Sequence, residues 1–253
     1  MTKSVIETLQ AHRTRRQFTT APVSDDQLAQ IITTAQQMPT SQYLQAYSLI
    51  EITQPALRQQ LAQITTMPTV GENGRLLVVV ADQHRNVKLA PGATTRRALS
   101  EFDRFVGSIE DATLITAAMV MVAESMGLGS VVLGSINNDT QAVIDALHLP
   151  DLTLPVFGLQ LGHPADVPEK KPRLGLSAVL FQDTYAEPIS YQAELDRFDG
   201  VLNQYYQHRS SHARTEHLAH MTQEATHSAA KRREFLMIAR RQGFLPELDQ
   251  PFE

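Results

Sequence analysis

Apolar positions along the chain alternate between helical and strand periods. Val5, Ile6 and Leu9 fall on one side of a short helix predicted over residues 5–13. Leu28, Ile31, Ile32 and Ala35 then recur at i, i+3, i+4 and i+7, a single helical stripe. Ser24 with Gln27 three residues on is a capping box at its start, and Pro39 ends it. Residues 48–53 read as a strand, and Pro55 opens a helix that turns Leu57, Leu61 and Ile64 inward. Residues 76–81 are apolar without alternation, which predicts a strand covered on both faces.

Residues 84–107 are polar and irregular, with one weak helical signal around Leu99, Phe102 and Phe105. The strongest helix follows, from Ser108 as cap, with Asp111 completing the box, to Gly127 at the C-terminal stop. Between them almost no polar face remains, and a helix apolar all round is buried in a large core or between subunits. A strand at 131–133, a helix from Asp139 to His148 and a strand at 155–161 come next. After Pro164 the composition shifts to a Lys/Pro-rich loop. A helix over 191–206, a polar break over 207–215 and one amphipathic helix ending near Gly243 close the chain. Strands and helices interleave, so the class is α/β or α+β around one central sheet. Residues 1–190 form the core and 191–253 a helical extension of the same domain.

The 253 residues are 42% hydrophobic and 19% charged, enough for a real core. A net charge of -5 argues against nucleic-acid binding. With no cysteine, thiolate metal sites, disulfides and cysteine nucleophiles are excluded. Glu7 interrupts any signal core, and the longest apolar stretch, Leu114–Ala123, is short of the ~20 residues of a membrane span. A soluble cytoplasmic protein is expected, with no membrane partner.

Several groupings could carry chemistry. His12, Arg13, Thr14, Arg15 and Arg16 gather charge at the end of the first helix. They either complement its C-terminal dipole or clamp a phosphate, whose oxygens guanidinium forks match. Lys170-Lys171-Pro172-Arg173 is either solvated surface or a binding loop after a strand end. Gly127 and Gly129 follow a helix and precede a strand, the reverse of a dinucleotide fingerprint, and read as a helix stop and a turn. Gly134, at a strand end, allows close backbone approach to a ligand. His208, His212, His217, His220 and His227 crowd the last third, but without a metal-binding motif they read as a polar face. No metal and no nucleophile arrangement is expected.

Taken in order, these segments resemble the nitroreductase family. The series runs through His12–Phe18, Pro22-Val23-Ser24, Gln42–Gln45, Glu124–Gly129 and Leu133–Ser135. It continues through Leu154–Leu159, Gly162–Asp166 and Lys171-Pro172-Arg173 to Tyr205, Tyr206 and Arg209. The likeness covers nearly the whole chain and is closest to the NADPH-preferring flavin reductase/oxygen-insensitive nitroreductase branch. Thr14 stands where the family has Ser, and Met67 where close relatives place a Gln near the flavin.

The resemblance implies an α+β fold, a central sheet with flanking helices, and an intertwined homodimer holding FMN at the subunit interface. His12, Arg13, Thr14 and Arg16 would hold the FMN phosphate and ribityl chain, joined by Lys171 and Arg173. Thr40, Ser41 and Gln42 would approach the flavin from the partner side, and Leu133, Gly134 and Ser135 would line its ring. Arg209 and Arg214 would bind the 2′-phosphate of NADPH. The implied reaction is ping-pong hydride transfer from NADPH through flavin N5 to a nitroaromatic, a quinone or another flavin. No catalytic side chain is then required. The alternative is a flavin-binding carrier or sensor without turnover.

Overall fold

The computed structural model describes residues 3–185, 187, 188, 190–230 and 232–249, and leaves the side chains of 227–230 and 249 aside. The chain forms two compact units, Met1–Val167 with Arg232–Glu253, and Pro168–Lys231. The contact boundaries between these units fall at 167/168 and 231/232.

The first unit is built on a four-stranded sheet of β1 (Tyr47–Glu51), β2 (Arg75–Asp82), β3 (Gly129–Leu133) and β4 (Thr153–Gly162), in the order β1-β2-β4-β3. Every pairing is antiparallel, which makes the class α+β. Strand β2 has helices over both its faces, which explains its unbroken apolar run. Leu77, Val79 and Ala81 pack with Leu28 and Ile31 of α2 (Asp25–Ala35) and Ile115 and Met119 of α6 (Phe102–Ser125). Leu76, Val78 and Val80 point the other way, onto Leu61 of α3 (Pro55–Thr65) and Val143 of α7 (Thr140–Leu147). The capping box of Ser24 and Gln27 forms as read.

Several helix boundaries differ from the sequence reading. The first helix, α1 (Val5–Ala11), stops two residues short of Arg13, with Ser4 and Glu7 as its capping box. Helix α6 starts at Phe102, not Ser108. Ser108 lies within it, fully buried, its hydroxyl donating to Phe105 O at 2.6 Å. The polar stretch before it folds into α4 (His84–Leu89) and α5 (Ala93–Ser100). The last amphipathic helix is two: α9 (Leu218–Ala230), which with α8 (Tyr191–His208) belongs to the second unit, and α10 (Phe235–Arg241), which belongs to the first.

At 24 residues, α6 is long and apolar enough to cross a bilayer by length and composition, so the shorter Leu114–Ala123 run is no guide. Here it packs across the sheet through Ala112, Ile115, Met119 and Ala123. The helix is not buried all round in the single chain. Thr113 and Ala117 are exposed and Leu114 and Met121 half-buried, leaving an apolar stripe open.

Asp111 does not cap a helix. From the buried face of α6 its Oδ1 accepts Ser41 N–H at 2.7 Å and its Oδ2 accepts Ala46 N–H at 2.8 Å. Between those anchors Gln42 (φ 50°), Tyr43 (φ 60°) and Gln45 (φ 48°) are all left-handed, which costs about 1–2 kcal/mol per non-glycine residue. The carboxylate therefore holds a strained loop in shape. One turn earlier, a Cβ on Gly107 would stand 3.0 Å from Ser41 Oγ, so glycine lets the loop lie against the helix. Asp111→Ala is expected to leave two amides without an acceptor, at about 1–3 kcal/mol each. Thermal denaturation should show the loss, and limited proteolysis should cut first within 40–46.

Candidate functional site

The basic segment after α1 lies along the outer edge of β3. Thr14 bridges Ser130 in parallel, and Arg15 N–H donates to Ser130 O at 2.8 Å. Gly129 is more than a turn residue, since a Cβ there would come within 2.7 Å of Arg15 Cγ. Beneath the segment, Glu124 near the end of α6 receives His12 Nδ1 at 2.9 and 3.0 Å on its two oxygens, and Ser130 Oγ at 2.7 Å.

The cations of this segment are used differently. Arg15 donates to the carbonyl of Asp166 and is thereby turned aside. Arg13 donates to Ala11 O at 2.8 Å, partly meeting the carbonyl end of α1, yet its Nε is buried without a partner among the described residues. Arg16 is exposed and makes no ion pair or hydrogen bond among them. The result is a concentration of positive charge and donors whose demand for an acceptor is met only in part.

Leu133 ends β3, about 10 Å beyond Ser130, and Gly134 and Ser135 begin the short 3-10 turn that follows it. Gly134 opens onto space, with Arg232 Nη1, at 4.0 Å from where a Cβ would lie, the one neighbour among the described residues. Ser135 Oγ points to Met67 Sδ at 3.9 Å, so Met67 does lie beside this group. Thr40, Ser41 and Gln42 are elsewhere. They are tied to Asp111, thirteen residues before Glu124 on the same helix, roughly 20 Å along its axis. Thr40 Oγ1 is buried without a hydrogen bond among the described residues. One chain therefore brings 12–16 and 133–135 together and leaves 40–42 towards the opposite end of α6.

In the second unit Lys170, Lys171 and Arg173 line a cleft of about 660 Å³ with Val201, Gln204 and Tyr205 of α8. Arg173 donates to the carbonyls of Lys171 and Pro172 at 3.2 and 3.0 Å. Arg209 and Arg214 are not loose. The Arg209 guanidinium lies 5.7 and 5.5 Å from the ring centres of Tyr205 and Tyr206, and its Nε is buried without a partner among the described residues. Arg214 stands 4.2 Å over Tyr206 and donates from Nε to Glu216 at 2.8 Å. The other Glu216 oxygen meets His220 Nδ1 at 2.7 Å and His217 N–H at 3.2 Å. The His220 and Arg214 contacts hold the Glu216 carboxyl at about 2, and Glu216 in turn raises His220. The late histidines thus serve structure, His217 on Asp199 at 2.6 Å and His208 on Gln204 O at 2.8 Å. The His227 side chain lies outside the described residues.

Glu124, Asp111, Ser130 and Glu216 were not singled out as site residues in the sequence. Glu124, Asp111 and Ser130 act through neighbours distant in the chain, Glu216 through Arg214 and His220 close by, and only Glu124 lies inside a recognised motif.

The sheet flanked by helices on both faces, with its basic segment along β3, defines a fold with many known relatives. Residues 9–163 match the nitroreductase family and residues 171–247 match the nitroreductase family, C-terminal domain. The chain belongs to the nitroreductase family. Among relatives, it is 35% identical over 217 residues to an FMN reductase (NADPH) of Bacillus subtilis, covering 84% of this chain and 87% of that one. The structure of NfrA1 nitroreductase from B. subtilis superposes with a TM-score of 0.89 at 31% identity, over 95% of this chain and 99% of the other. The NADPH:FMN oxidoreductase from Vibrio harveyi, complexed with NAD+, does so at 0.82 and 28%, over 96% and 99%.

The Glu216 contacts give the second unit a defined pH response. His220, raised above its ordinary 6.5, contributes stability that is full below that value and lost as pH rises through its folded value. Glu216, lowered from 4.5, contributes above 4.5 and is lost only towards about 2. Amide exchange in the first turn of α9, corrected for intrinsic rates, should therefore be slowest between those limits and speed up on going alkaline. His220→Ala should abolish the alkaline change; an unchanged profile in that variant would remove His220 from the network.

Proposed function

We propose that the chain is an FMN-dependent NADPH oxidoreductase that reduces nitroaromatics, quinones or flavins, working as a cytoplasmic homodimer. The observation that carries the reading is the 12–16 segment, where among the described residues Arg13 Nε is buried without a partner and Arg16 makes no ion pair, while Gly134, just past the end of the β3 strand that the segment borders, opens onto space. A phosphate dianion suits this donor set, and a flat ring system suits the opening at 133–135. The names of the relatives, FMN reductase (NADPH) and NADPH:FMN oxidoreductase, give the same cofactor and coenzyme.

His12, Arg13, Thr14 and Arg16 would bind the phosphate and ribityl chain, with Lys171 and Arg173 adding charge, and Leu133, Gly134 and Ser135 would border the ring. When bound, FMN would supply the hydride-transfer chemistry between NADPH and a planar acceptor. The protein's part is to bind, orient and neutralise charge. Arg209 and Arg214, stacked on tyrosines with their guanidinium edges in place, suit the 2′-phosphate of NADPH.

The dimer accounts for surfaces one chain leaves bare. Val5, Ile6 and Leu9 of α1 are 66%, 69% and 52% exposed. Val5, Met38, Ala118, Met121, Val122 and Met126 border an apolar groove of about 440 Å³ beside α6. A second chain packed about a two-fold axis on this face would cover both and bring Thr40, Ser41 and Gln42 to the partner's basic segment.

The purified protein should be yellow, bleach on adding NADPH and regain colour with a quinone; colour without bleaching would favour a carrier or sensor. Arg209→Ala should raise the KM for NADPH about tenfold or more while sparing that for NADH and the turnover at saturation. Parameters that move together would return Arg209 to a structural role.

Loss of Arg16 should cost FMN affinity about 1.5–3 kcal/mol, at least tenfold. Arg15→Ala should cost less, because Arg15 is already spent on Asp166 O. Equal flavin content in the two purified variants would overturn the assignment of Arg16.

A further inference from the structure

The Glu124 carboxylate reads as a device for phosphate recognition rather than as a helix-end contact. It is only 11% exposed in its side chain and meets two donors from different segments, His12 Nδ1 and Ser130 Oγ. A carboxylate only accepts, so the proton on His12 is fixed at Nδ1 and the ring is held with that edge inward. Nε2 is then the remaining polar atom of the ring, and none of the described residues hydrogen-bonds it. The hydroxyl of Ser130 fixes the carboxylate itself. Ser130 O in turn accepts Arg15 N–H at 2.8 Å, so the segment is tied down at both its side chains and its backbone.

We propose that Glu124 is a positioning residue for the flavin phosphate: through His12 it presents an Nε2–H donor to that phosphate and balances the imidazolium charge that the donor requires. Glu124 touches no ligand in this scheme and acts on the terminal phosphate alone. It thereby separates FMN from riboflavin, which shares the ring and ribityl chain and lacks the phosphate. The inference rests on the assignment of His12 to FMN binding made above.

Glu124→Gln keeps the shape of the side chain and can still accept from one donor, but not from both with equal strength. Flavin fluorescence quenching would measure the affinities of the apoprotein for FMN and for riboflavin, without recourse to turnover. Glu124→Gln is expected to weaken FMN about tenfold and to leave riboflavin within twofold. The riboflavin value doubles as a check that the site is folded. His12→Ala should reproduce the effect, and the double variant should be no weaker than His12→Ala alone, because both act through one contact. If His12→Ala weakens FMN selectively while Glu124→Gln leaves it unchanged, the role of Glu124 is overturned and that of His12 stands. If His12→Ala itself leaves FMN binding unchanged, the underlying assignment fails and the proposal with it. Equal losses for FMN and riboflavin in Glu124→Gln would make Glu124 a structural support only, and would also overturn it.

Discussion

Helix α6 imposes the constraint that organises the first unit. It carries apolar side chains around most of its circumference, and the sheet with α2 covers only the side of Ala112, Ile115, Met119 and Ala123. At about 25 cal/mol per Å², leaving the remaining stripe in water forgoes several kcal/mol, the kind of deficit that a second subunit offsets. The same helix places two carboxyl groups under neighbouring loops, Asp111 under residues 41–46 and Glu124 under residues 12–16. Its rigidity fixes the distance between those loops. If both loops serve one site, as proposed, halves about 20 Å apart on one rod would need another copy of the rod to meet.

Much of the fold was legible because hydrophobic period reports local geometry directly. The stripe of α2, the capping box of Ser24 and the double-faced strand β2 all depend on residues close in sequence. The start of α6 was misplaced for the same reason. Ser108 and Asp111 have the spacing of a cap, and spacing alone does not reveal that both are buried mid-helix, one on its own backbone and the other on a loop seventy residues earlier. The stretch 84–107 looked irregular because α4 and α5 are short and mostly polar.

The site divides along similar lines. The segments that would touch the cofactor stood out as a motif series, since flavin binding constrains contiguous residues. What those residues need from behind was invisible. Glu124 must find His12 across 112 positions and Ser130 across six. The motif position already separates Arg16 from Arg15, and what it does not reveal is that Arg15 is held by the carbonyl of Asp166. Arg209 and Arg214 read as loop cations until Tyr205, Tyr206 and Glu216 are seen to fix them.

Strand β3 lies at the margin of the sheet, where unpaired N–H and C=O groups invite another strand. Residues 14 and 15 cover that margin at Ser130, with Arg15 laid across Gly129. The basic segment therefore guards a β edge as well as gathering charge. Whatever loosens it bares a template for edge-to-edge association, so under the proposed assignment flavin loading and resistance to aggregation would draw on the same few residues.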